Sequence, residues 1–255
     1  MFRLLSLAYA AGCYVFFLVT FLYAIAFVAG LDIVPRHIDN GPAAALPVAI
    51  GIDVALLLLF AVQHSGMARP GFKRWWKQIV PEPVERATYV LASTLVLALL
   101  MWQWRSLPQV VWHVEAEAAR IAIYALCASG WLLLLYSTFL INHFDLFGLR
   151  QAWFHATGRR PDPHVPFVAR AFYRVVRHPL MLGFLVAFWS APTMSVGHLL
   201  FAIATTGYIL VAVKFLEERD LIAIYGDTYR EYQRQVPMLL PFGRRKAARR
   251  KPQEA

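Results

Sequence analysis

Four polar clusters in this 255-residue chain stand out because each lies among apolar residues. The first is Gln63-His64-Ser65, continuing into Gly66-Met67-Ala68-Arg69-Pro70 at the end of a long apolar run. An imidazole changes charge near neutral pH, so His64 is a candidate acid–base group. The second is Asn142-His143-Phe144-Asp145-Leu146-Phe147-Gly148-Leu149-Arg150-Gln151. Asn142 and Asp145 share a face if this stretch is helical, whereas His143 and Asp145 share one only if it is extended. Two readings stay open: an interfacial cap with aromatic anchors, or the edge of an active site.

The third cluster is Arg177-His178-Pro179 with Gly183, followed further on by Glu217-Glu218-Arg219. Proline suits the first helical position, which puts His178 near an N-cap, and a helix start offers free N–H groups to an anion. Adjacent glutamates point about 100° apart on a helix. One of Glu217 and Glu218 therefore faces a ligand while the other pairs with Arg177 or Arg219; the plainer alternative is a charged collar closing a span. In the fourth cluster Tyr225, Tyr229 and Tyr232 form one helical stripe beside Arg230 and Arg234. Such a stripe anchors an interfacial helix or covers a flat base.

The elements that position these residues must be membrane helices. Apolar residues make up 59% of the chain and charged residues 16%, against about 45–50% and about 25% in an ordinary soluble domain. This excludes a soluble single-core enzyme and a disordered chain. The net charge of +10 then points to anionic lipid rather than nucleic acid. Cys13 and Cys127 lie in apolar runs, far apart, and provide neither a disulfide framework nor a metal site. A spanning helix takes about 20 apolar residues, and the runs Leu7–Leu31, Ala43–Gln63, Val84–Trp104 and Ala118–Ile141 meet this. Leu180–Ser195, which contains Pro192, and Gly197–Leu216 read as a helical hairpin. The expected fold is all-α and polytopic, with about five to six spanning helices, the C-terminal hairpin and interfacial helices.

Lys and Arg concentrate between spans two and three, before the hairpin (Arg150, Arg159, Arg160, Arg170, Arg174, Arg177) and from Lys214 onward. Only Arg36, Arg105 and Arg120 belong to the other face. The positive-inside rule makes the crowded face, with both termini, cytoplasmic; five spans with a re-entrant run would put one end outside. The tail cations Arg244, Arg245, Lys246, Arg249, Arg250 and Lys251 either bind anionic headgroups or form a solvated stop signal. Asp53 falls mid-span, where a bare carboxylate costs about 2.5–3.5 kcal/mol, so it must face the bundle interior or be protonated.

The order and spacing of Arg177-His178-Pro179, Glu217-Glu218, Gly226, Tyr229, Tyr232 and Pro237 resemble the isoprenylcysteine carboxyl methyltransferase superfamily over residues 170 to 241. The stretches from Gln63 to Pro70 and from Asn142 to Gln151 narrow this: nearly the whole chain is similar to the methanethiol S-methyltransferase family, which makes dimethyl sulfide. Met181 departs from the superfamily, which often has tyrosine two residues after the proline. The resemblance implies S-adenosylmethionine as methyl donor, held by Arg177, His178, Pro179, Gly183, Glu217, Glu218, Tyr229 and Tyr232, with its amino-acid end near His178. It implies a division into N-terminal thiol-side helices (1–165), a cofactor-binding hairpin module (166–242) and a basic tail (243–255). Thiol methylation then needs a proton acceptor, and the candidates are His64, His143 and Asp145, with Asn142 in the network and Asp145 orienting His64. Alternatives are a lipid or prenylated acceptor, a nicotinamide-dependent membrane reductase with a similar C-terminal module, or a non-enzymatic transport or assembly protein.

Overall fold

A computed structural model describes residues 2–159 and 167–242. Arg160 and the basic tail, with its expected headgroup contacts, lie outside the described residues. Five helices are long and apolar enough to cross a membrane: α1 (Phe2–Val28), α2 (Leu46–Ala68), α4 (Glu82–Gln103), α5 (Glu117–Ile141) and the continuous rod Val196–Tyr225. The rod consists of α9 (Val196–Ala212), a π-helical stretch Val213–Glu217 and α10 (Glu218–Tyr225). Between the long helices lie α3 (Pro70–Trp76), α6 (His143–Leu146), α7 (Leu149–Thr157) and α8 (Pro179–Trp189), and α11 (Asp227–Gln235) follows the rod. The chain is therefore an all-α integral membrane protein that exposes large apolar side chains along its long helices, such as Val15, Leu22, Leu58, Val62 and Leu132. In lipid, a helix satisfies its own backbone groups, so these sequences have no other spanning option.

The hairpin departs from two full passes. Its first leg, α8, has 11 residues, about 16 Å of helix against about 30 Å of hydrocarbon. It stops at Ser190, before Pro192, and the chain returns through a strand, β2 (Thr193–Ser195), paired antiparallel with β1 (Val110–His113). This ribbon lies at the end of the bundle that carries Arg36 and Arg105. Asp53 is fully buried and accepts the Arg105 backbone N–H at 2.8 Å, so it ties α2 to the segment leaving α4. Asp39 and the Ser195 hydroxyl bond at the same end. With that end sealed, the four polar clusters gather at the other.

The central core is aromatic. Trp104 meets Phe27 and Phe201 edge-on, while Trp131 meets Phe21, Phe184 and Phe188 in the same way. Along α5 and α8 the backbones nearly touch at two glycines. A Cβ on Gly130 would lie 2.7 Å from the Ala187 nitrogen, and one on Gly183 would lie 2.7 Å from the Gly130 carbonyl oxygen. Gly183, expected at the cofactor, instead faces α5, and its missing side chain allows the two helices to approach. Cys127 is buried in the same seam and donates to the Ala187 carbonyl at 3.5 Å. Gly183→Ala should lower stability by about 1–3 kcal/mol through overpacking, read as a lower thermal midpoint in detergent, while Gly12→Ala, which has open space around its Cα, should not.

Candidate active site

The start of α8 is tied to the end of the rod. The π-helical stretch inserts one extra residue per turn just before Glu218, so Glu217 and Glu218 both reach back to the hairpin start. Glu218 is buried and takes Arg177 Nε and Nη2 on one oxygen, each at 2.7 Å. His178 bridges the pair, with Nε2 3.3 Å from Glu218 and Nδ1 3.4 Å from Glu217. Burial alone would lower the His178 pKa, but hydrogen bonds to Glu217 and Glu218 outweigh it and push the value up to about 9. Arg177 Nη1 also donates to the carbonyls of Gln233 (3.0 Å) and Val236 (2.6 Å). The backbone N–H groups of Arg177 and His178 donate to the carbonyls of Pro237 and Met238. Arg177 is thus fully engaged in holding the end of α11 and the segment after it, whereas Glu217 remains half exposed at the mouth.

The three tyrosines do not share one helix, since Tyr225 ends α10 and Tyr229 and Tyr232 lie on α11 beyond the break at Gly226, yet together they hold a ring of the chain itself. Phe167 lies 5.3, 5.6 and 5.0 Å from Tyr225, Tyr229 and Tyr232. Tyr232 donates to the Tyr173 carbonyl at 2.5 Å, and burial pushes its phenol up to about 12. The Tyr229 hydroxyl is buried without a partner, and burial followed by the Glu218 charge raises its pKa.

His64 stands on the opposite wall. Its ring stacks on Phe60 at 5.3 Å, and its Nδ1 is 3.3 Å from Ser93 Oγ. The Tyr89 hydroxyl is 3.1 Å from Nδ1 and 3.2 Å from Nε2, and donates to the His64 carbonyl at 3.3 Å. The Arg86 guanidinium covers the Tyr89 ring at 5.3 Å. The neighbours of His64 join this wall to the rod: Ser65 bonds Tyr208 at 2.9 Å, and Arg69 pairs with Asp220 at 3.1 Å.

The expected pairing of His64 with Asp145 is not formed. Asp145 receives Gln151 Nε2 at 3.3 Å and faces Arg150 at 3.9 Å, and its backbone N–H donates to Asn142 Oδ1 at 3.3 Å. Asn142 ends α5 with an extended backbone, so α6 starts afresh and turns His143 inward. His143 is buried, with Nε2 2.8 Å from the Tyr14 hydroxyl, Nδ1 2.7 Å from Thr138 Oγ1, and its ring stacked on Phe139. Burial lowers its pKa, and with both nitrogens engaged it ties α1 to α5. Asn142 and Asp145 instead line a polar cavity of about 420 Å³ beside α3 and the start of α4.

A family model described as NnrU protein matches residues 54–233, from mid-α2 into α11. The chain belongs to the NnrU family. The Methanethiol S-methyltransferase of Mycobacterium tuberculosis is 54% identical to the chain over 243 residues, covering 95% of this chain and 98% of that protein. The Methanethiol S-methyltransferase of Crocosphaera subtropica is 48% identical over 240 residues, covering 94% and 93%. More distant is Nurim of Rattus norvegicus, 31% identical over 189 residues and 71% of each chain. No solved structure matches the chain.

For this NnrU family member, sequence reasoning missed Tyr89, Ser93, Tyr208 and Phe167. Glu85, Tyr89 and Ser93 recur every four residues in span three, a polar stripe that could have marked the face turned toward His64. Nothing local marks Phe167, because its partners lie about sixty residues on. Two outcomes test the mouth. Glu218→Gln weakens the partner of a buried arginine, and thermal unfolding should show a loss of about 3–5 kcal/mol at most. Because the His178 pKa is raised in the folded state, its contribution is fully present below about pH 6.5 and is lost as pH rises through about 9. The thermal midpoint should therefore fall across that upper range in the wild type and respond less to pH in His178→Asn.

Proposed function

We propose that the chain transfers the methyl group of S-adenosylmethionine to methanethiol, forming dimethyl sulfide. The observation that carries this reading is the joining of two walls at one end of the bundle. His64 lies on one wall and the Glu217–His178 mouth on the other, linked by Ser65–Tyr208 and Arg69–Asp220. The activity named for relatives about half identical over nearly the whole chain supports the acceptor. The concentration of Lys and Arg at this end supports a cytoplasmic opening. There the basic tail from Arg244 to Lys251 would meet anionic headgroups.

The residues at the mouth fit the donor. Glu217 has a half-exposed carboxylate not bound to arginine, suited to ribose hydroxyls or an ammonium group. The Tyr225, Tyr229 and Tyr232 cage already accepts a flat ring, which Phe167 would yield to adenine, and the orphaned Tyr229 hydroxyl would gain a partner. Residues 166–242 then form the donor module and residues 1–165 the thiol side. When bound, the donor supplies an electrophilic methyl on a sulfonium. The chain's task is to take the thiol proton, which His64 does as the methanethiol sulfur attacks. One S–C bond forms, the donor's S–CH3 bond breaks, and the proton stays on imidazole. Tyr89 and Ser93, rather than Asp145, orient that ring.

The water-poor site favours this reaction, since thiolate and sulfonium annihilate opposite charges. It also raises the thiol pKa above the roughly 8.5 of free cysteine, which makes a base necessary. His64→Ala should lower turnover by roughly 10²–10⁴-fold and recover in part at high pH. Calorimetric titration with S-adenosylhomocysteine should show unchanged affinity in that variant and weakened affinity in Glu217→Ala. Loss of donor binding in His64→Ala, or normal turnover at neutral pH, would remove His64 from the role of base.

A further inference from the structure

The polar cavity beside α3 and α4 is separate from the mouth and from the hydrogen bonds of His64. Its rim is internally satisfied: Lys77 pairs with Glu82 at 3.0 Å, Arg86 Nε donates to the Leu146 carbonyl at 2.9 Å, and Asp145 is held by Gln151 and Arg150. Three groups facing the cavity are not. Among the described residues the side chains of Lys73 and Glu85 have no hydrogen-bond or ion-pair partner, although Glu85 is only 9% exposed, and Gln151 Oε1 is buried without a donor. Burial, then the Arg86 charge, lowers the Lys73 pKa, and the charges of Glu85 and Asp220 offset this only in part, so its ammonium is incompletely compensated. A buried carboxylate and a poorly compensated ammonium in one cavity call for a ligand carrying both signs of charge.

The position of the cavity selects among such ligands. It is bounded by the first turn of α4 and by Ile141, the last residue of α5, where the apolar belt ends. Ile141, Phe139 and Phe144 are more than half exposed around that corner, as a surface that carries acyl chains would be. We propose that the cavity holds the ammonium–phosphate headgroup of a membrane phospholipid. The phosphate sits on Lys73 and the outer nitrogens of Arg86, and the primary ammonium on Glu85 and Gln151 Oε1. Because Arg86 lies over Tyr89, which bonds His64, the lipid would steady the wall that carries the base.

The test uses purified full-length protein stripped of lipid in detergent and titrated with short-chain phosphatidylethanolamine, with the thermal midpoint as readout. A saturable rise is expected. Half-saturation should move up about tenfold or more in both Lys73→Gln and Glu85→Gln, as for loss of one charge-assisted hydrogen bond. Both variants should unfold within a few degrees of wild type before lipid is added. Phosphatidylcholine, whose quaternary ammonium donates no hydrogen bond, and phosphatidylglycerol, which has no ammonium, should each bind about tenfold more weakly. Equal binding of phosphatidylglycerol with no effect of Glu85→Gln would reduce the cavity to a simple anion site and overturn the proposal. So would weakened S-adenosylhomocysteine affinity in both variants with the lipid response intact, because the cavity would then hold the amino-acid end of the methyl donor. Absence of any saturable response in the wild type would overturn it as well.

Discussion

A single buried carboxylate organises the polar end of this protein. Glu218 receives Arg177 and His178 from the start of the hairpin. Arg177 in turn clamps carbonyls in the last turn of α11 and just beyond it, which fixes the tyrosines over Phe167. Two residues on from Glu218, Asp220 pairs with Arg69 and brings in the helix end that carries His64. Without Glu218 the arginine would be an uncompensated buried charge, and the segments that meet there would have no common anchor. A low-dielectric surround makes the network strong when complete and costly when one member is missing.

The sequence made the spans legible because about 20 apolar residues in a row have one physical solution in lipid, and the four clusters were legible because polar residues are expensive there. Which cluster meets which was harder to read. His178 and Glu218 are forty residues apart, yet the hairpin between them makes the contact foreseeable from chain geometry. No such device links His64 to Asp145: α6 begins anew at Asn142, and Asp145 is taken by Gln151 six residues on. The short range of that bond explains why it wins over a distant histidine. Gly183 misled for a different reason. A glycine near a ligand motif and a glycine in a helix seam look alike in sequence, and only the closeness of Gly130 on α5 separates them.

On the proposed reading, thiol methylation in a membrane would divide the physical work between the two halves of the chain. Apolar walls suit a small volatile acceptor and a transition state in which charge disappears, whereas proton removal and a charged donor both need polar groups. Those groups cannot lie at mid-bilayer without cost, and Asp53, expected mid-span, lies instead near the opposite end of the bundle, where it is used as a latch for the Arg105 backbone. The proposed chemistry is accordingly placed at the end where α2, α4, α8 and the rod present their polar termini. The π-helical stretch serves the same arrangement, since it lets consecutive glutamates face one histidine.

The most direct measurement supplies purified protein with methanethiol and S-adenosylmethionine whose transferable methyl carries three deuterons, and analyses the headspace by mass spectrometry. The account predicts dimethyl sulfide with one CD3 and one CH3 group, formed in step with S-adenosylhomocysteine and without any nicotinamide. Unlabelled product, product that requires a reductant, or donor consumption with no volatile sulfide would contradict it.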